Sequence, residues 1–304
     1  MKNLYLTFKL KKAFIFILSA ALIVSSAMAV TLYFAPVSMS ADEGAVQLPI
    51  IMYHGILKDT KRCGQYIITP EILDEDLKHI KEAGFNTVVV GDLINYVYMD
   101  APLPEKPIMI TFDDGFLNNY AYAYPLLLKY DMKAVISFIG INTDEESVKT
   151  DNSVAYSYIT WRHINEMAAS GHVEFQNHSY NLHDLNKGRK GVRKRSGEPS
   201  EKYLNEIRAD IMKFQERIAE NTGITPTAYT YPFGEFNRES EELLKKEGFL
   251  CSLICASVIN SIDKNPECLY KLGRFNRPYG IATKDFFDKV LMNIHPPQSG
   301  GVSK

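Results

Sequence analysis

The sequence predicts an α/β protein: about seven strand–helix units whose parallel strands close into a (β/α) barrel, preceded by an N-terminal hydrophobic segment. Three observations lead there. Strand-like and helix-like patterns alternate from residue 48 to about residue 255. Such alternation builds a parallel sheet, and about seven units favour a closed barrel over an open doubly wound sheet. The 304 residues, 46% hydrophobic and 23% charged, suffice for one large core of barrel size. Finally, His54, Asp113, Asp114, His178, Phe233 and Arg274 fall just past the C-terminal ends of expected strands. That is the face on which barrels carry their active sites.

The elements follow in order. Leu48–Met52 is the first strand. Thr69 caps a helix that Pro70 opens and Gly84 ends, with Leu73, Leu77 and Ile80 on its apolar face. Strands are expected at Asn86–Val90 and Ile108–Phe112, then a helix at Asn119–Tyr130. Ala134–Ile139 is a strand, and Thr160–Ser170 a helix stopped by Gly171. Val173–Gln176 is a strand, and Glu201–Asn221 a long helix. Thr227–Tyr231 is a strand, Arg238–Glu247 a helix stopped by Gly248, and Phe249–Cys255 the last strand. Phe286, Phe287, Val290, Leu291 and Ile294 fit one face of a terminal helix that Pro296 and Pro297 end.

The N-terminus is of another kind. Lys2, Lys9, Lys11 and Lys12 precede an uncharged apolar run from Ala13 to Phe34, long enough to cross a hydrocarbon core of ~30 Å. An uncleaved anchor with a cytoplasmic N-terminus and a signal peptide cut near Ser26-Ala27-Met28-Ala29 both fit; residues 35–47 are a linker. Either way the remainder is expected to be exported, anchored facing outward or secreted. Without residues 1–41 the chain carries 30 basic and 36 acidic residues, a net charge of −6, which argues against nucleic acid as a partner. Four cysteines, Cys63, Cys251, Cys255 and Cys268, allow three pairings, and free thiols fit equally. Lys187–Arg195 holds six basic residues in nine: a solvated loop, or a flap beside the site that touches anionic wall polymer.

The chemistry concentrates in two places. Ile108–Phe112 runs into Asp113-Asp114-Gly115, and adjacent carboxylates at the end of an apolar strand are costly to bury unless a cation compensates them. One could hold a divalent metal while the other remained free as a base; an Asx-type turn is the plain alternative. His178 and His183 bracket a loop directly after the strand at residues 173–176, a spacing that suits a fold-back onto a cation better than one helix face. Two imidazoles and a carboxylate leave open positions, as catalytic metal sites do. Two ordinary loop histidines would look the same.

Thr111-Phe112-Asp113-Asp114-Gly115 followed by His178-Ser179 and His183 resembles the polysaccharide deacetylases of carbohydrate esterase family 4. The resemblance runs from about Leu48 to Arg274 and takes in Pro49–His54, Trp161 with Glu166-Met167, and Tyr231-Pro232-Phe233-Gly234. The His spacing and the Tyr-Pro-Phe-Gly segment are most similar to the branch acting on poly-N-acetylglucosamine. It implies a distorted barrel of fewer than eight regular strands and a catalytic domain over residues 48–304. Asp114, His178 and His183 would hold one divalent metal, zinc foremost, with cobalt, nickel or iron as alternatives. Asp113 would be the base, and a backbone N–H near Phe233 would stabilise the oxyanion. Tyr231, Pro232 and Phe233 would wall the sugar pocket, or simply pack in the core; His54 would contact sugar or be structural.

Two departures stand out. Many family members place at the position of Thr230 an arginine that orients the base, which the poly-N-acetylglucosamine branch also lacks; Arg274 is the expected substitute. His295 matches the late catalytic histidine only superficially. The expected partner is an N-acetylated glycan of peptidoglycan or poly-N-acetylglucosamine type, with the membrane contacted through residues 13–34 if uncleaved. A glycan-binding protein without turnover, or an O-acetyl (xylan-type) esterase, are the alternatives.

Overall fold

A computed structural model describes residues 44–185 and 188–292. The hydrophobic segment, most of the linker and His295 lie outside the described residues, so the expectations placed on them are not addressed below. Among the described residues no helix is long and apolar enough to cross a membrane.

Twelve strands are described: β1 Val46–Leu48, β2 Ile50–Tyr53, β3 Gly55–Ile56, β4 Ile67–Ile68, β5 Asn86–Val88, β6 Pro107–Asp114, β7 Ala134–Phe138, β8 Val173–Asn177, β9 Ala228–Thr230, β10 Cys251–Leu253, β11 Asn260–Ile262 and β12 Phe275–Asn276. The helices are α1 Pro70–Glu82, α2 Val90–Met99, α3 Tyr124–Tyr130, α4 Gly140–Ser147, α5 Trp161–Ala169, α6 Ser200–Thr222, α7 Arg238–Lys246 and α8 Thr283–Leu291. Seven strands run parallel in the order β10-β9-β8-β7-β6-β2-β12, with β5 pairing to β6 beside them. Leu272, just before β12, bridges to Leu253 of β10, while Phe275 of β12 pairs with Ile51 of β2. Segment 272–276 therefore returns one edge of the sheet to the other and closes a distorted barrel.

Strand alternation sorts the side chains. Ile108, Ile110 and Phe112 of β6 join Leu73, Leu77 and Ile80 of α1 in the largest core cluster, between sheet and helices. Met109 faces the other way, with Ile50, Val135, Ala228 and Leu253, in an apolar plug inside the barrel. Above the plug the same inward face turns polar. Thr111 and then Asp113 follow Met109, Ser137 follows Val135, Thr230 follows Ala228, and Met52 and His54 follow Ile50. Ser137 and Thr230 share a hydrogen bond of 2.6 Å between their hydroxyls. The site residues are thus the top inward layer of a single alternating pattern.

Several elements depart from expectation. Asp113 and Asp114 are the last residues of β6 rather than lying beyond it, and Arg274 immediately precedes β12 rather than following a strand. The helix expected at Asn119–Tyr130 begins as a π-helical turn at Asn119–Ala123. The strand expected through Val90 stops at Val88, because the chain turns into α2 there. Asp92 accepts a hydrogen bond from the Val89 N–H (3.0 Å), and Glu174, from β8, accepts one from the Gly91 N–H (3.0 Å). The apolar run Val88-Val89-Val90 gives no local hint of a helix start; a carboxylate some eighty residues away completes it. All four cysteines are free.

Candidate active site

Asp113 is 2% exposed and bound by Arg274 at two points, with Nη1 donating to Oδ1 (2.6 Å) and Nη2 to Oδ2 (2.8 Å). Arg274 is fully buried, and its remaining donors reach Ile254 O (3.1 Å) and Thr111 Oγ1 (3.3 Å). A planar guanidinium fork is the partner that suits a buried carboxylate. Burial alone would push the Asp113 carboxyl up. The Arg274 charge outweighs it, helped by the nearby imidazoles, and holds the group well below the ordinary carboxylate range. Asp113 therefore stays ionised. Arg274 delivers this guanidinium from 161 residues further along the chain.

Asp114 leaves the strand with φ 69, followed by Gly115 at φ 76. Only glycine fits there, since a β-carbon on residue 115 would lie 2.6 Å from that of Phe138. This turn points Asp114 away from Asp113 and toward the imidazoles. Its Oδ1 lies 3.6 Å from His178 Nε2 and 3.5 Å from His183 Nε2. All three ligand atoms lie within 4.8 Å of one another. The loop between the imidazoles is folded back by one local and two long-range contacts. Asp210 of α6 accepts from the N–H groups of Tyr180 and Asn181 (both 2.8 Å), and Asn177 accepts from the Ser179 N–H (2.8 Å).

Three observations test whether these residues fit a divalent ion. Asp114 Oδ1 is buried with no hydrogen-bond partner. His178 Nδ1 lies 2.7 Å from the Thr230 carbonyl oxygen, to which only an Nδ1–H can donate; in the neutral ring Nε2 then presents a lone pair toward that same carboxylate oxygen. Two ligand atoms on one tetrahedral ion at bond lengths of ~2.1 Å sit about 3.4 Å apart, close to the 3.6 and 3.5 Å from Asp114 Oδ1 to the two imidazoles. The set fits. Burial would lower the His178 pKa, but Asp114 and Asp113 outweigh it and raise it; His183 is lowered, by burial and by His178.

His54 flanks Asp113 on the other side, with Nε2 4.0 Å from Oδ2, and its buried Nδ1 has no partner. Its ring packs 4.8 Å from Tyr66, which is half exposed. Phe233 sits in the tight turn Pro232–Gly234 at φ 59, a left-handed conformation that costs a side-chain-bearing residue about 1–2 kcal/mol. Its ring lies 4.1 Å from that of His183. A cavity of about 380 Å³ opens beside the centre, lined by Asp114, His183, Tyr158, Asn142, Glu145 and Asn181.

Tyr231 and Pro232 do not line this space. Tyr231 is 0% exposed and packs edge-on against Tyr229 in a cluster beneath α6 and α7, and Pro232 is buried too. With Thr230 facing inward, alternation turns Tyr231 outward to the helices, so core packing, not sugar contact, is its role. Its hydroxyl is buried without a partner. Tyr231→Phe should therefore leave KM for any glycan unchanged and hold or raise stability, by up to about 1 kcal/mol; a raised KM alongside an unchanged melting temperature would contradict this. Among the described residues of the basic run, 188–195, the cationic side chains are paired with carboxylates. Arg189 pairs with Glu198 and Glu206, Lys190 and Arg193 with Glu235, and Lys194 with Glu239. Sequence reading missed Asp210, Asn177 and the Thr230 carbonyl, and nothing local distinguishes them.

The family model described as polysaccharide deacetylase matches residues 100–251. A poly-β-1,6-N-acetyl-D-glucosamine N-deacetylase of Escherichia coli K12 is 28% identical over 196 residues, 58% of this chain; the match spans only 29% of that protein's length. A protein of the same name from Staphylococcus aureus MSSA476 is 24% identical over 189 residues, covering 62% of this chain and 61% of that one. Among solved structures, a Streptococcus pyogenes deacetylase in complex with acetate superposes with a TM-score of 0.66 at 21% identity, over 83% of this chain and all of the other. That likeness establishes the fold.

Proposed function

The chain belongs to the polysaccharide deacetylase family, and from that premise we propose that it hydrolyses N-acetyl groups of an extracellular N-acetylglucosamine polymer, of poly-N-acetylglucosamine or peptidoglycan type. The observation that carries the reading is one mouth holding two adjacent carboxylates with opposite attachments: Asp113 on a guanidinium, Asp114 facing two imidazoles. Relatives bearing the name of poly-N-acetylglucosamine deacetylases support the substrate class.

Asp114, His178 and His183 would hold a divalent ion, zinc foremost, with cobalt, nickel or iron as alternatives. Such an ion, when bound, supplies Lewis-acid polarisation of water and of the acetyl carbonyl. The remaining tasks belong to the chain. Asp113, kept ionised and oriented by Arg274, accepts the proton of the attacking water. The Phe233 N–H, at the rim beside His183, donates to the oxyanion. His54 is the imidazole at the mouth outside the proposed ligand set. Beside Asp113, with a buried unpartnered Nδ1 and a pKa lowered by burial, it would contact the sugar as a neutral ring, and the leaving amine would take the proton that Asp113 accepts from water. Turnover by a metal-held scaffold, rather than binding alone, is supported by Arg274, which fills the place of the arginine missing at residue 230.

Export by residues 13–34, as an anchor or a cleaved signal, belongs to the same proposal. The test is acetate release by the purified protein from poly-N-acetylglucosamine, peptidoglycan, chitin oligomers and acetylated xylan with added zinc or cobalt. Release from an N-acetylated polymer supports the proposal; inertness toward all of them, or release from acetylated xylan alone, refutes it.

A further inference from the structure

The turn that carries Phe233 is clamped from two sides. Behind it, Gly234 backs onto Cys255, where a β-carbon on residue 234 would fall 2.8 Å from Cys255 Cβ. In front lies the basic segment 188–195. Gly191, at φ 56, brings its α-carbon so close to the turn that a β-carbon would meet the Pro232 carbonyl oxygen at 2.5 Å. Lys190 Nζ and Arg193 Nε grip the two oxygens of Glu235, the next residue after the turn, at 2.9 and 3.3 Å. The segment is itself fixed. Val192 is fully buried, and its carbonyl accepts from the Tyr203 hydroxyl (2.7 Å). The Arg189 guanidinium, 2% exposed, donates to Glu198 (2.6 and 3.0 Å) and Glu206 (3.0 Å).

We infer that segment 188–195 is a brace for the reaction centre and that Gly191 is a positioning residue for the proposed deacetylation. Its backbone approach to Pro232 fixes Phe233 in its left-handed conformation, and through the Phe233 ring it fixes the imidazole of His183. A side-chain-bearing residue persists in that conformation only where its surroundings over-determine it. Here the surroundings are two glycine contacts and an ionic grip on Glu235. This explains why the five described basic residues of the run, Arg189, Lys190, Arg193, Lys194 and Arg195, pair with carboxylates of the chain itself. The Phe233 N–H and the His183 ring both move if the turn moves, and a shift of about 1 Å at a reacting centre can cost ~100-fold in rate.

The inference rests on the function proposed above for its kinetic test, but not for its spectroscopic one. In the full chain, Gly191→Ala should lower kcat by roughly 10- to 100-fold with KM for the glycan little changed. The melting temperature should fall by several degrees, because alanine at φ 56 is strained. With cobalt(II) as the probe ion, the visible absorption band of Gly191→Ala should shift, because the ring orientation of one imidazole changes. If that variant does not fold, the Lys190→Ala/Arg193→Ala double variant carries the test. It should show a smaller shift of the same band that Glu235→Gln reproduces and that does not add when the changes are combined. A cobalt spectrum unchanged in every folded variant overturns the brace, whatever happens to the rate. Absence of acetate release by the unaltered protein would instead refute the functional reading while leaving the cobalt comparison decisive.

Discussion

Asp113→Asn is expected to lower acetate release by roughly 10²- to 10⁴-fold, the span of a general base. The amide keeps the shape but cannot accept a proton from water. The same change should also destabilise the protein, by about 3–5 kcal/mol at neutral pH, because Arg274 would be left as a buried cation without its counter-charge. The two effects have separate readouts, rate and unfolding midpoint, and their pH dependence has a definite sign. Folding depresses the Asp113 pKa. The carboxylate's contribution to stability is therefore fully present above its unfolded pKa of ~3.9 and is lost as pH falls through the lower folded value. Urea unfolding across ~pH 3–7 should show the gap between the two proteins narrowing in acid. A variant that keeps more than about a tenth of the rate would remove Asp113 from the role of base, and a gap that widens in acid would refute the account of the ion pair.

The second large effect concerns the proposed metal set. His178→Ala should reduce bound divalent metal to well below one per chain and lower acetate release by at least ~100-fold, the upper end of what altering even an outer partner of a ligand costs. His178 is the better choice than His183, because its Nδ1 contact with the Thr230 carbonyl fixes its ring independently of the loop beyond it. A strong chelator should mimic the variant in the unaltered protein, and added zinc or cobalt should restore only the latter. Full metal content in His178→Ala, by elemental analysis, would show that the imidazole is not a ligand.

Much of the site was legible because its residue types are poor company for their neighbours. Two carboxylates at the end of an apolar strand and two imidazoles on the loop after another have no local reason to be there. Other parts were left open between two readings. By residue type Tyr231 fits a pocket wall or the core; Ala228-Tyr229-Thr230-Tyr231 alternates, and once Thr230 faces inward Tyr231 must face the helices. The basic loop reads from sequence as a solvated loop or a polymer-binding flap, because the partners Glu206, Glu235 and Glu239 lie beyond its own neighbourhood in the chain.

By itself the sequence determined what depends on a few neighbouring residues. Thr69 caps α1 through its side-chain oxygen, Gly84, Gly171 and Gly248 adopt positive φ at the helix stops, and period-two alternation lays out the strands. Tertiary structure alone decided which of these pieces meet. Arg274 reaches Asp113 across 161 residues, Asp210 folds the imidazole loop from a distant helix, and segment 272–276 closes the sheet. The reason is physical. Capping and alternation are energies of one backbone with itself over a turn or a strand. The pairing of a buried charge is settled only when the whole barrel has packed and each remaining carboxylate and guanidinium must find a partner out of water.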